Sequence, residues 1–267
     1  MRQQFLEYTA ARIAAEPRYA YFCNELKYVR RLVASTAPRT LLDIGCGSGV
    51  YTEFWTEQGF EAHGIDVDSS LVVRAKERLQ HRGAAPRLAV GRVETLPYAS
   101  GAFDVCIANS VLEHVPDWQA LLQEASRVLK DGGLLILSTT NRLHPFQGEI
   151  NRFPFYPWLP AAVKARILDH ITSHRPDLVN YTDRPAVNWF SYEELKAFLT
   201  GLGYCVSTRL DLMRRSDLRG WKAVATPGLG LMQSVRCFRY LYYLYAADVS
   251  VYALKDGRGR IPGREAA

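Results

Sequence analysis

The residues that most clearly suggest chemistry stand between positions 43 and 66. An apolar run, Leu41–Ile44, leads into the turn Gly45-Cys46-Gly47-Ser48-Gly49, after which a helix is expected to begin at about Val50. Glycines there permit positive φ angles and let a ligand approach bare backbone, while the first turn of a helix offers unpaired N–H groups. The pattern predicts a nucleotide-like ligand at the carboxyl end of the first strand.

The spacing of this turn narrows the class of ligand. A dinucleotide-binding turn reads G-x-G-x-x-G, whereas here the third glycine comes one position early and Asp43 precedes the first. A carboxylate at the strand end would repel a pyrophosphate and suits a ligand that carries an ammonium group. A second carboxylate, Asp66, ends the next apolar run, 17 residues after Gly49, where it can accept both hydroxyls of a ribose.

Length and composition exclude several classes of protein. The chain has 267 residues, 48% of them apolar, with 33 Lys and Arg against 27 Asp and Glu, so it is neither disordered nor collagen-like nor a disulfide miniprotein. Five cysteines without CxxC spacing, and a start without a signal-peptide-like apolar run, argue for a reducing compartment and against a zinc site. We expect no transmembrane helix and a cytoplasmic location, with peripheral membrane contact left open.

Alternating elements predict the fold. Short apolar runs are separated by helix-length segments or turns, and they lie at Leu41–Ile44, Ala62–Asp66, Arg87–Val90, Phe103–Ala108 and Leu134–Ser138. This alternation predicts an α/β fold, a doubly wound and mostly parallel sheet with helices on both faces. Two later runs, Tyr204–Leu210 and Val249–Leu254, are expected to be strands six and seven, the last as an antiparallel edge strand.

Helix signals flank several of these runs. Asp117 is the predicted N-cap of a helix over Trp118–Lys130, which Asp131-Gly132-Gly133 should end. Ser191 and Glu194 form a predicted capping box for a helix that runs to about Thr200, with Gly201 beyond its end.

The chain divides into six predicted segments. They are a helical N-terminal cap at 1–37, a core at 38–140, a lid at 141–190 with a helix over Ala161–Ser173, a core helix and strand at 191–210, an insertion at 211–248, and a final strand and tail at 249–267. The lid and the insertion are too long to be structureless loops in a compact domain, so each should contain structure of its own.

Several ordered motifs resemble those of the class I S-adenosylmethionine-dependent methyltransferases, in the branch typified by ubiquinone and menaquinone methyltransferases. Besides Asp43, the GxGxG turn and Asp66, they are Gly91–Pro97, Ala102–Val105, Leu112–Asp117 and Arg127–Gly133. The resemblance covers about residues 38–140 and 190–205. It implies a Rossmann-like methyltransferase fold, S-adenosylmethionine as cofactor, and methyl transfer to a small-molecule acceptor.

The resemblance also implies roles for individual residues. Asp43 and the glycines would hold the methionine part of the cofactor, Asp66 the ribose, and the region of Val93 the adenine edge. Family members commonly have an Asp where Arg92 stands; Arg92 cannot accept from the adenine amino group, so Glu94 or backbone groups are expected to do so. The full expected set is Asp43, Gly45, Cys46, Gly47, Gly49, Asp66, Val67, Arg92, Val93, Glu94 and Asn109.

Methyl transfer from a sulfonium is an in-line displacement, so the protein mainly aligns the nucleophile and excludes water. Only a poorly acidic hydroxyl needs a general base. The candidates are His144, after the fifth strand, and Glu113 and His114, after the fourth. His144 has the alternative of a surface histidine in the lid, and Glu113-His114 that of structural residues in a turn. No metal is expected, because Ser110 replaces a further carboxylate that metal-binding relatives use.

The sequence specifies the acceptor least. The lid, from Asn141–Phe146 through Phe155–Pro160, resembles lids of methyltransferases associated with polysaccharide or lipid-linked sugar assembly, which favours O-methylation of a sugar or lipid-linked hydroxyl. An aromatic or quinone-type hydroxyl and a non-catalytic binding module are the alternatives. Lid aromatics could line an acceptor pocket or pack among themselves; they are Phe146, Phe153, Phe155, Tyr156, Trp158, Trp189 and Phe190.

The insertion at 211–248 contains six Lys and Arg against three Asp, beside the Tyr-rich run Phe238–Tyr245. Three interpretations compete: a packed helix or homodimer contact, a surface that meets anionic lipid or a lipid- or phosphate-linked acceptor, and RNA binding. Nucleic acid is the least expected partner, since no recognisable RNA-binding module accompanies the basic residues.

Overall fold

The continuous apolar runs of the strands form a single sheet with a hydrophobic core on each face. A computed structural model describes residues 17–33, 40–81, 87–146, 150, 153–175, 178, 185–217 and 226–255. Predictions for 1–16, for 256–267 and for the remaining gaps fall outside these residues.

The sheet of the described chain has seven strands in the order β3-β2-β1-β4-β5-β7-β6. The strands are β1 Thr40–Ile44, β2 Glu61–Asp66, β3 Arg87–Val90, β4 Phe103–Asn109, β5 Leu129–Thr140, β6 Tyr204–Thr208 and β7 Asp248–Lys255. Strands β1 to β5 pair in parallel, and β7 runs antiparallel to both β5 and β6. The predicted fold class, doubly wound and mostly parallel, is therefore confirmed.

Helices cover both faces of this sheet. They are α1 Pro17–Leu32, α2 Val50–Glu57, α3 Ser69–His81, α4 Trp118–Val128, α5 Ala161–His174, α6 Tyr192–Gly201, α7 Arg209–Leu212, α8 Thr226–Ser234 and α9 Arg236–Tyr245. The predicted N-caps form: Asp117 accepts a hydrogen bond from the N–H of Ala120 at 3.0 Å, and Ser191 accepts from that of Glu194 at 3.3 Å. The Glu194 carboxylate pairs with Arg142 at 3.0 Å.

Strand β4 shows how one strand serves two cores. Cys106 and Ala108 face a cluster built with α4 and α6, whereas Val105 and Ile107 face one built with α1 and α2. Because successive side chains of a strand point to opposite faces, a continuous apolar run is what a sheet covered on both sides requires.

Three local predictions are wrong. Strand β7 is not at the edge: it lies between β5 and β6 and is buried along most of its length, so β6 forms that edge. Helix α4 ends at Val128, because Leu129 already pairs with Phe103 as the first residue of β5, and the expected stop signal lies inside that strand. The predicted strand over Tyr204–Leu210 ends at Thr208, whose hydroxyl and Asp211 form a capping box for α7.

The insertion is fastened to the N-terminal helix through Asp217. Its carboxylate accepts from two guanidinium nitrogens of Arg31, each at 2.8 Å, and also pairs with Lys27, both on α1. The backbone N–H of Arg214 donates to the same carboxylate at 3.0 Å. The hydrogen bond from Arg31 is the main reason why the pKa of Asp217 lies well below its usual range.

This fastening predicts a pH-dependent loss of stability in Asp217→Asn. Near neutral pH the free energy of unfolding should fall by about 1.5–3 kcal/mol, the typical contribution of hydrogen bonds to a charged group. A carboxyl whose pKa is lowered by folding stabilises above its unfolded pKa, about 3.9, and that contribution is lost as the pH falls below it. The difference between wild type and variant in urea unfolding should therefore shrink between about pH 5 and pH 3.

The control is Asp131→Asn, which removes an exposed carboxylate 3.4 Å from Lys255 and should change stability little. Equal effects of the two substitutions at all pH values would contradict the assignment of Asp217 as the fastening residue.

Candidate functional site

The turn after β1 has the backbone that its glycines predict. Gly45, Gly47 and Gly49 have φ angles of 73°, 52° and 77°, a region that side chains with a Cβ atom disfavour. A Cβ atom at Gly45 would collide with Val111, and one at Gly49 would stand 2.7 Å from the Cβ of Ala75 on α3. At Gly47 a Cβ would meet nothing within 4 Å. Gly47 thus presents bare backbone to open space, as a site for a closely approaching ligand requires.

Asp66 joins the end of β2 to this turn. One carboxylate oxygen accepts from the N–H of Gly47 at 2.9 Å, and the other accepts from the N–H of Asp68 at 2.8 Å. Each oxygen has two lone pairs, so both can accept a further hydrogen bond from a ligand hydroxyl. The predicted second carboxylate of the site therefore lies against the predicted turn.

Asp43 lies directly before the turn, but its side chain is only 2% exposed. It accepts a hydrogen bond from the Thr52 hydroxyl of α2 at 2.7 Å. Burial raises the pKa of Asp43 to about 7, and the charge of Asp66 adds to the rise, while the Thr52 hydrogen bond opposes it. Asp43 is therefore buried at the strand end, and it can act on a ligand at the turn chiefly through its charge.

The remaining cofactor candidates occupy different surroundings. The side chain of Cys46 is buried against β2, where a Cβ on Gly64 would stand 2.9 Å from its Sγ, so only its backbone belongs to the turn. Val67 is exposed directly after β2, Val93 is buried, and Asn109 ends β4 opposite Ser138 of β5.

Arg92 and Glu94 are brought together as an ion pair, with an N–O distance of 2.8 Å. Glu94 is one of the groups expected to replace the missing Asp of the family. In the structure its carboxylate accepts from Arg92.

Glu113 fixes the lid to the core. It lies in the 3₁₀ turn Leu112–His114, is 2% exposed, and accepts from the Thr139 hydroxyl of β5 at 2.7 Å. Its backbone carbonyl accepts from the N–H groups of Val187 and Asn188, on the returning arm of the lid, at 2.7 and 3.1 Å. Burial raises the pKa of Glu113 to about 7. These contacts favour the structural alternative for Glu113, while its neighbour His114 is half-buried and stays a candidate.

His144 is held by the insertion. Its Nδ1 lies 3.1 Å from the carbonyl oxygen of Leu244 in α9. A carbonyl can only accept, so Nδ1 carries the proton in this contact, and Nε2 of the neutral ring is left as a proton acceptor. Three residues earlier, the Asn141 amide donates to the carbonyls of Tyr243 and Ala246, both at 2.6 Å. The end of β5 and the start of the lid are therefore anchored by α9.

Two residues that support the turn escape prediction from the sequence. Thr52 bonds Asp43, and its only local signal is a hydroxyl in the first turn of a helix that follows the glycines. Arg78 of α3 donates from Nε to the carbonyl of Ser48 at 3.0 Å and pairs with Glu53 at 3.1 Å. Nothing local marks Arg78, because it lies 30 residues from its partner in the turn.

Two classes of feature are absent from the described part of the chain. No three His, Cys, Asp or Glu side chains come together there as a metal site would require. No helix there has the length and apolar character needed to cross a bilayer.

Comparison with known proteins identifies part of the chain. Residues 42–137 match the family model described as a methyltransferase domain. The chain is 36% identical over 145 residues to an uncharacterized methyltransferase of Mycobacterium sp. (strain KMS), covering 52% of each chain. It is 36% identical over 109 residues to a ubiquinone biosynthesis O-methyltransferase of Methylococcus capsulatus, covering 40% of this chain and 46% of that one.

The chain thus spans about half the length of the curated relatives that it matches. A solved structure, the YcgJ protein of Bacillus subtilis, superposes with a TM-score of 0.54 at 16% identity, over 89% of this chain and 99% of that one. At that identity the likeness concerns the fold.

The position of Asp66 beside the turn predicts that its removal weakens binding of the donor. Asp66→Ala should weaken S-adenosylmethionine binding by about 1.5–3 kcal/mol, roughly tenfold to more than a hundredfold, because a charged acceptor of ribose hydroxyls and of the Gly47 N–H is lost. Asp68→Asn is the matched control, since it alters a neighbouring carboxylate that caps α3 through Ser70 and retains a capping side chain. Isothermal titration with unchanged affinity in Asp66→Ala would refute the ribose assignment.

The burial of Asp43 predicts that the affinity for the donor depends on pH. An acid whose pKa is raised to about 7 is largely neutral below that pH, so its attraction for the ammonium group of the ligand appears only as the pH rises through 7. Affinity for S-adenosylmethionine should therefore increase from about pH 5.5 to 7, where an α-amino group with a pKa of about 7.7–8.0 is still mostly charged. Asp43→Asn should abolish this slope. A pH-independent affinity in the wild type would rule the mechanism out.

Proposed function

We propose that residues 42–137, which match the methyltransferase-domain family model, form a class I S-adenosylmethionine-dependent methyltransferase domain, and that the protein methylates a hydroxyl of a small-molecule acceptor, on a sugar or a lipid-linked group. The observation that carries the proposal is the open backbone of Gly47 beside the carboxylate of Asp66, inside the matched segment.

Most of the work of this protein in such a reaction is binding and alignment. S-adenosylmethionine, when bound, supplies a methyl group on a sulfonium that a nucleophile can attack in line. The turn and Asp66 would hold the donor, and the charge of Asp43 would favour its ammonium end. The lid would exclude water: its returning arm is tied to the core at the Glu113 carbonyl, and its first residue, Asn141, is tied to α9 of the insertion. Alignment and water exclusion together lower the barrier without covalent participation of the protein.

A hydroxyl acceptor adds the need for a base, and His144 is the best candidate. Its hydrogen bond to the Leu244 carbonyl favours the tautomer in which Nε2 can take a proton. Glu113, by contrast, is buried and bonded to Thr139, which makes it a poor base for an acceptor from solution.

The class of acceptor rests on two further points. Relatives in Methylococcus capsulatus and Nitrosomonas europaea are named ubiquinone biosynthesis O-methyltransferases, which supports oxygen as the methylated atom and keeps a quinone-type acceptor as the alternative. Among the lid aromatics, Tyr156 and Trp189 are buried in the lid's own cluster and Phe190 in the main core, whereas Phe146, Phe155 and Trp158 are exposed. Only part of the aromatic set is thus free to meet an acceptor.

The test of the proposal is incubation of the protein with methyl-labelled S-adenosylmethionine and cell extracts or candidate acceptors, followed by mass spectrometry. Labelled product with an O-methyl group is the expected result. Binding of the donor with no labelled product from any extract would favour the alternative of a non-catalytic binding module.

If His144 is the base, His144→Ala should lower kcat by about 10²-fold or more with donor affinity retained. His170→Ala, which alters an exposed histidine on α5, is the control and should retain wild-type kcat. A wild-type rate in His144→Ala over the whole pH range would show that alignment alone drives the reaction.

A further inference from the structure

Where exposure is described, the exposed aromatic side chains are confined to two segments of the chain. Among the residues whose exposure is described, all six exposed aromatics lie in the lid or in α9; they are Phe146, Phe155, Trp158, Phe238, Tyr240 and Tyr245. Tyr245, at the end of α9, is 88% exposed. A patch of large exposed apolar side chains generally marks a surface that binds a protein, a membrane or a ligand.

The lid aromatics form a continuous series that reaches α9. The ring of Trp158 lies 5.1 Å from that of Phe155, which lies 6.2 Å from that of Phe146, which in turn lies 6.2 Å from the His144 ring. His144 contacts the carbonyl of Leu244, the residue before Tyr245. The two segments that contain the exposed side chains are therefore adjacent.

Helix α9 continues this surface along its outer face. Phe238, Leu241 and Tyr245 follow one another at spacings of three and four residues, which places them on one side of a helix. Away from this row, Tyr243 is buried and Arg239 pairs with Asp211 at 2.7 Å, while Tyr240 is 52% exposed and lies outside the row. We call Phe146, Phe155, Trp158, Phe238, Leu241 and Tyr245 the aromatic ridge.

Positive charge accompanies the ridge. The lid at 141–190 has a surplus of two positive charges and the insertion at 211–248 a surplus of three, so together they contain five of the net six. Arg236 is exposed at the start of α9, two residues before Phe238. The backbone carbonyl of Arg142, another exposed residue, accepts from the Trp158 indole at 2.9 Å. The Arg142 guanidinium itself pairs with Glu194, so it is the surplus of positive charge on the two segments, rather than a free cation at each end, that accompanies the ridge.

We propose that the aromatic ridge binds the surface of an anionic lipid bilayer. Exposed aromatic rings on two segments that have a surplus of positive charge suit the boundary between acyl chains and headgroups, where the rings are buried and the cations of the segments meet acidic lipid. A second copy of the chain fits less well, since a two-fold contact would pair this face with itself and bring like charges together. The insertion alone was the predicted membrane contact; the ridge extends that contact across the lid.

The proposal goes beyond the proposed activity, because none of the ridge residues belongs to the donor site. It does bear on where the reaction occurs: His144 stands between the lid aromatics and α9, so a bilayer on the ridge would lie beside the proposed base.

Cosedimentation of the full chain with lipid vesicles tests the proposal. Vesicles that contain phosphatidylglycerol should bind the protein, and pure phosphatidylcholine vesicles should bind it much less. Leu241→Ser should lower the partition coefficient about tenfold or more. Val73→Ser on α3 is the matched control and should not change it, since Val73 is 53% exposed and Leu241 57%.

Fluorescence locates the contact on the lid. Brominated phosphatidylglycerol should quench wild-type tryptophan emission, and Trp158→Phe should remove most of that quenching.

Three results would overturn the proposal: no binding to phosphatidylglycerol vesicles, binding that salt abolishes and Leu241→Ser leaves unchanged, or light scattering that shows a dimer which Leu241→Ser dissociates. Titration with S-adenosylmethionine separates this failure from failure of the proposed function. Leu241→Ser should bind the donor as the wild type does, whatever its affinity for vesicles.

Discussion

The candidate site depends on one constraint of backbone geometry, the passage from β1 into α2 through three residues with positive φ. Glycine at 45 and 49 is required because Val111 and Ala75 leave no room for a Cβ atom, so these two glycines bring the strand, the turn and α3 close together. Gly47 differs from both, since space is open beside it. The same turn thus joins close packing on one side to an exposed backbone on the other, and the carboxylate of Asp66 holds it in place through the Gly47 N–H.

Two buried acids support the glycine turn and the lid in similar ways, one acid for each. Asp43 lies at the end of β1 and Glu113 follows β4; each accepts from a threonine hydroxyl, and burial raises the pKa of each to about 7. Burying a carboxyl is unfavourable unless it is hydrogen-bonded, so each is a specific fixture of the fold. Asp43 supports the donor site and Glu113 supports the lid, which places the two sides of the proposed reaction on one sheet.

Local sequence patterns predict those parts of the fold whose contacts join residues close together in the sequence. The alternation of apolar runs with helices, the glycine turn, and the caps Asp117 and Ser191 all follow from neighbours in the sequence. The position of β7 does not, because its pairing with β5 joins residues more than a hundred positions apart. The same distance hides the anchoring of Asn141 and His144 by α9. The burial of Asp43 could not be predicted either: a sequence shows that Asp43 is acidic, but not that its side chain packs beneath the turn.

The most direct test of the account is titration of S-adenosylmethionine into two glycine variants. Gly47 and Gly101 both have positive φ, 52° and 64°, and a Cβ at either would meet nothing within 4 Å. Gly47→Ala and Gly101→Ala should therefore share a similar backbone strain of roughly 1–2 kcal/mol, but only the first places a methyl group where the donor should lie. We expect at least tenfold weaker binding in Gly47→Ala and wild-type binding in Gly101→Ala; equal affinities in the two variants would contradict the claim that the turn is the donor site.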